Sequence, residues 1–166
     1  MPQIAFEAMP DTARVWVFGA AAPIIGPAAV ALLTAVDAHL SHWKAHGEPL
    51  VSARDWRDDR FLAIAVDEEA TGASGCSIDG LFRILKDMEL QLGASMVDAG
   101  TVFWRDEQRQ VRSADRSGFR TLARNGMVRE GTVVFDTTVE SVGAWRSHFE
   151  RPAAESWHRR LLAERT

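Results

Sequence analysis

The chain has 166 residues, of which 46% are hydrophobic and 25% charged, with a formal net charge of −4. That length suits one domain with a substantial core and is short for two, and the composition leaves disorder and collagen-like repeats without support. The negative balance argues against a protein held on nucleic acid by a strong basic field, although it leaves room for a local basic patch, and a lone cysteine, Cys76, excludes an internal disulfide and suits the reducing cytoplasm.

The first pattern, "ARVWVF" (13–18), is β-branched and aromatic on both faces, as expected of a central strand covered on both sides. A loop of glycine, alanine and proline follows. From Pro27, a residue suited to a first helical turn, Ala29, Leu32, Leu33, Val36, Leu40 and Trp43 recur at helical spacing, with Gly47 as the natural stop. Taken together, Val15 to Val36 run uncharged for 22 residues, which passes the length test for a membrane span. Pro23, Gly26 and Pro27 interrupt that run, alanines dominate it, and Glu7 and Asp11 precede it where an export signal needs positive charge. It therefore reads as strand, loop and helix, with no membrane role.

"LVSARDW" (50–56) and "RFLAIAVDE" (60–68) are strand-like runs joined closely enough for a hairpin, the second placing Leu62, Ile64 and Val66 on one face. Ile78, Leu81, Phe82, Leu85, Met88 and Leu92 form a helical stripe that stops at Gly93, and "TVFWRD" (101–106) returns to a β pattern. The order β-α-β-β-α-β predicts an α+β fold with a ferredoxin-like core over about 12–106. A C-terminal α/β extension over about 107–166 adds a strand at 110–115, a short helix around 118–126, a strand at 131–138 and helical segments from Val142, which Pro152 divides. The whole chain reads as a single domain.

Chemistry points to "GASGCSID" (72–79). A strand ending near Asp67 and Glu68, small residues, then a helix start near Ser77–Asp79 aim free N–H groups and a positive helix end at one spot, which attracts anions. Gly72, Ser74, Gly75 and Ser77 are the loop's candidate ligand contacts. In that field the Cys76 thiolate is favoured, so Cys76 is a candidate nucleophile or redox group, with His46 as base and Asp79 as support. The plainer reading of Cys76 is a small, well-packed turn residue. The loop has the form of neither a phosphate-binding Walker loop, a dinucleotide loop nor a serine nucleophile elbow. His42 and His46, four apart, lack a clear third metal ligand, so neither a metal nor a cofactor is expected.

Glu89 falls on the apolar face of the second helix, where an ionised carboxylate requires a partner, and Arg54, Arg105, Trp56 or Trp104 are the candidates. The same arginines, Arg54 and Arg105, are candidate ligand contacts, with Glu89 as a third. Six tryptophans without a tyrosine are read chiefly as packing groups. "WRSHFERPAAESWHRR" (145–160) gathers aromatic and basic side chains into a segment that suits a cover over a pocket, a partner surface or a solvated helix pair.

"HWKAHGEPL", "RFLAIAVDEEATGASGCSID" and the later "MELQLG" resemble a family of small bacterial proteins with W-x-x-HG and GASGCSID motifs, some of which carry an ABC-transporter ATPase label. Residues 12–105 carry the likeness well and the C-terminal third loosely. It marks Trp43, His46, Gly47, Asp67, Glu68, Gly75, Cys76, Ser77 and Asp79, while "MEL" stands where the pattern has "LE". No Walker motif accompanies it, so it implies no ATPase chemistry. The resulting expectation is a cytoplasmic domain that binds a small anion, with a thiol-dependent enzyme or a protein-interaction domain as alternatives. Nucleic acid and membrane are not among the expected partners.

Overall fold

The computed structural model describes residues 3–45, 48–49, 51–67 and 78–162. Strand β1 (Arg14–Gly19), helix α1 (Gly26–Ser41), a short ladder of β2 (Lys44–Ala45) and β3 (Glu48–Pro49), then β4 (Ser52–Arg57), β5 (Phe61–Val66) and helix α2 (Asp79–Leu92) form the first half. The second half holds β6 (Thr101–Arg105), β7 (Val111–Asp115), α3 (Arg116–Arg124), β8 (Val133–Phe135), α4 (Val142–His148), β9 (Glu150–Pro152) and α5 (Arg159–Leu162). The fold is α+β, as expected.

Two antiparallel sheets carry it, in the orders β1-β5-β4 and β7-β6-β8-β9. The first sheet has three strands, and β6, which the ferredoxin-like expectation makes its fourth, pairs instead with β7 and β8 in the second sheet. β5, not β1, is therefore central. All six residues of "FLAIAV" are buried, because the even-numbered side chains Leu62, Ile64 and Val66 pack on α1 and α2 while Phe61, Ala63 and Ala65 face the second sheet. Phe103 and Phe135 meet that second face, together with Trp145 and Phe149 at the α4 end. Beyond the second sheet, Val102, Trp104 and Val134 pack on Phe119 and Ala123 of α3 and on Leu161 and Leu162. Residues alternate across each strand, so three cores separate four layers: helices, sheet, sheet, helices.

Leu81, Leu85, Met88 and Leu92 of the α2 stripe are buried and the helix stops at Gly93, in the left-handed region at φ 68°, but Phe82 of the expected stripe is exposed. α1 buries the expected Leu32, Val36 and Leu40 but ends at Ser41 rather than running to Gly47, since Ser41 Oγ and the His42 ring both turn back to the Ala38 carbonyl. Asp115 caps α3 by accepting from Gly118 N–H at 2.6 Å. Pro152 lies not between two helices but at the end of the edge strand β9, a position a proline tolerates. Among the described residues no helix is long and apolar enough to cross a membrane.

Candidate ligand-binding site

The glycine-rich loop expected to bind an anion, with Gly72, Ser74, Gly75, Cys76 and Ser77, lies outside the described residues, as does His46. Asp79 is the first residue of α2. Beside that helix start stands His39, whose Cε1 is 3.0 Å from the position a side chain on Gly80 would take. Its ring lies 5.5 Å from that of Trp43, its Nε2 is buried without a hydrogen-bond partner among the described residues, and burial lowers its pKa.

Arg54, Arg105 and Glu89 do not form one site. Arg54 makes a two-pronged pair with Asp37, Nε–Oδ1 at 2.8 Å and Nη2–Oδ2 at 3.0 Å, and the carboxylate also accepts from Gln3. That pair holds Asp37 below the usual carboxylate range, and Arg54 is thereby committed to α1 rather than to a ligand. The partner expected for Glu89 is not there: its Oε1 is buried and unpartnered among the described residues, with Arg54 paired elsewhere and Arg105 in the second sheet.

Arg105 does line a cleft, of about 470 Å³, between the turn joining β4 to β5 and the turn joining β6 to β7. Asp58 and Asp59 form the first turn with φ of 56° each, closed by the Arg60 N–H donating to the Arg57 carbonyl. The second turn is built by Asp106, whose Oδ1 accepts from the Gln108 and Gln110 N–H groups while Oδ2 accepts from Arg112 Nε at 2.7 Å. Arg112 first, then these backbone bonds, keep Asp106 below its ordinary pKa. Arg105 reaches Glu150 at 2.6 Å and Asp58 at 3.2 Å, and its Nη1 donates to the Arg109 carbonyl.

Arg60 forms the buried wall of this cleft, with only 8% of its surface exposed. Nη1 donates to the Ala20 and Ala21 carbonyls at 3.3 and 3.0 Å, and Nη2 to the Val111 carbonyl at 3.0 Å. Ala20 and Ala21 follow β1 and Val111 opens β7, so the guanidinium ties the two sheets together. A guanidinium has five N–H donors, and among the described residues Arg60 Nε–H and one Nη2–H remain uncommitted. No carboxylate pairs with it among the described residues. Burial first, and then the charge of Arg112, lower its pKa, the direction expected of a buried cation without a counter-ion. With Arg105 and Arg112 matched by Glu150, Asp58 and Asp106, the charges left facing the cleft are Arg60 and Arg109 against Asp59. Sequence reading passes over Arg60 because it looks like a hairpin's surface residue. Only the approach of β7 makes it a buried one.

Among the described residues no group of three His, Cys, Asp or Glu side chains is placed to hold a metal ion. No family model matches the chain, and neither does any curated protein or solved structure.

Proposed function

We propose that this protein is a binding domain for a small, compact anion, seated in the cleft between the β4–β5 and β6–β7 turns. One observation carries the reading: Arg60 is a buried guanidinium held by three main-chain carbonyl contacts, without a counter-charge among the described residues, and with donors left over beside open space. A bound anion relieves the cost of that buried charge, and guanidinium donors match the oxygens of carboxylates and phosphates. About 470 Å³ is a small-molecule volume, and charged side chains with Pro23 and Val111 are its lining, which favours a polar, multiply charged ligand such as a sugar phosphate or polycarboxylate. Arg109, at φ 63° on the exposed turn that lines the cleft, offers such an anion a second guanidinium. The ligand class is the one read from the sequence; the anchor assigned here is the cleft rather than the 72–79 loop.

A thermal-shift series with orthophosphate, pyrophosphate, citrate and glucose 6-phosphate tests it. At a hundredfold excess over Kd, binding contributes about 2.7 kcal/mol, or roughly 5–10 °C in Tm for a chain of this size. The double substitution Arg60→Gln/Arg109→Gln, in protein that keeps its circular dichroism, abolishes the shift, whereas Gly75→Val in the loop leaves it in place. Absence of a shift with every anion, or loss of the shift in Gly75→Val alone, refutes the cleft as the site.

A further inference from the structure

The net charge of −4 conceals a division within the chain. Residues 1–100 hold 7 cationic and 14 acidic side chains, while residues 101–166 hold 12 cationic and 9 acidic ones, and all 12 are arginine. In α3, Arg116, Arg120 and Arg124 recur every four residues and so share one side of the helix, about 6 Å apart along its axis. Arg116 stands beside the C-terminal layer, its guanidinium 5.3 Å over the Trp157 ring, while Phe119 and Ala123 on the neighbouring side of α3 share a core with Leu161 and Leu162 of α5. α5, which packs on α3, carries Arg159 and Arg160. Arg116, Arg124, Arg159 and Arg160 are exposed and have no ion pair among the described residues.

We infer that this α3–α5 face, distinct from the cleft, docks the phosphodiester backbone of a nucleic acid. Exposed guanidinium groups without counter-ions among the described residues, carried on two packed helices, suit a polymer with a phosphate on every unit, and each fork can hold two phosphate oxygens. A membrane surface is disfavoured because the apolar side of α3, Phe119 and Ala123, is already buried, leaving no apolar stripe to enter a lipid interface. The contact is to backbone charge and therefore independent of base sequence. The summed negative charge limits affinity without abolishing a local field of this kind.

Fluorescence anisotropy with a labelled single strand of ~20 nucleotides reads it directly. Four arginine–phosphate contacts give a log–log salt slope of about −2.8, so affinity falls about 50-fold between roughly 50 and 200 mM salt. The variant R116Q/R124Q/R159Q/R160Q loses binding while keeping its circular dichroism and Tm, and R159Q/R160Q alone halves the slope. Arg109→Gln, in the cleft, changes the affinity by less than ~twofold, which separates this surface from the small-anion site. An unchanged Kd and slope in the quadruple variant overturns the inference. So does binding of polyglutamate, or of phosphatidylserine vesicles, by a protein that does not bind the oligonucleotide.

Discussion

Acidification acts on the C-terminal core through one side chain. His158 is fully buried, stacked on Trp157 at 4.1 Å, with Phe119 at 6.1 Å. Its Nδ1 pairs with Ser156 Oγ at 2.8 Å, and its Nε2 has no partner among the described residues. Burial lowers its pKa, Asp136 opposes that and Arg151 adds to it, with the result pushed down to about 4. In the unfolded chain the imidazole titrates near ~6.5. Between those two values the unfolded state takes up a proton that the folded state refuses. Stability is therefore complete above ~6.5, falls by about 1.4 kcal/mol per unit of acidification, and levels off below the folded pKa, a total loss of about 3 kcal/mol. Against a typical stability of ~5–15 kcal/mol that is a large fraction. Asp37 is lost in a separate, more acidic window, because Arg54 holds its carboxyl below the ordinary value. Urea unfolding at intervals from ~pH 7 to ~pH 4.5, on the wild type and on His158→Gln, isolates the effect. The wild-type slope of ΔG against pH should exceed the variant's by about 1.4 kcal/mol per unit. The contribution of His39, which has the same sign, is common to both proteins and cancels. Parallel lines for the two proteins refute the assignment of a neutral, buried imidazole.

Two further substitutions test the packing between the sheets and the turn at the cleft. A Cβ at Gly19 falls 2.6 Å from Phe103 Cε2 and Cζ and 3.3 Å from Phe61 Cε1, so Gly19→Ala should cost about 1–3 kcal/mol in chemical denaturation, and Phe103→Leu in the same chain should restore part of it. Because Asp59 sits at φ 56°, Asp59→Gly relieves a strained backbone and should raise stability by about 0.5–1 kcal/mol, with no gain or a loss telling against strain at that turn.

Local pattern was sufficient wherever one residue's neighbours in sequence were also its neighbours in space. The α2 stripe from Leu81 to Leu92, its Gly93 stop, and the strand runs 13–18, 60–68 and 101–106 follow from periodicity and turn chemistry alone. Length and composition led to the expectation of a single domain, and the order of elements to the α+β class. What those signals lack is any record of which edges pair. β1 and β5 are apolar on both faces, and nothing local says that β5 is the central strand or that β6 leaves to start a second sheet. β9, three residues long and containing Pro152, reads as a helix break until β8 pairs with it.

The chemistry divides in the same way. A small-residue loop before a helix is visible in sequence because its amides and helix end are contiguous, and so Gly72 to Asp79 drew attention. Arg60, Arg109 and Arg112 acquire meaning only when two hairpin turns from different sheets meet, and the same folding event commits Arg54 to Asp37 and leaves Glu89 Oε1 buried without a hydrogen bond among the described residues. Burial and ion pairing are long-range properties, set by which layers stack. The sequence determined the elements and the kind of charge available, and tertiary packing decided which of those charges were left without a counter-ion.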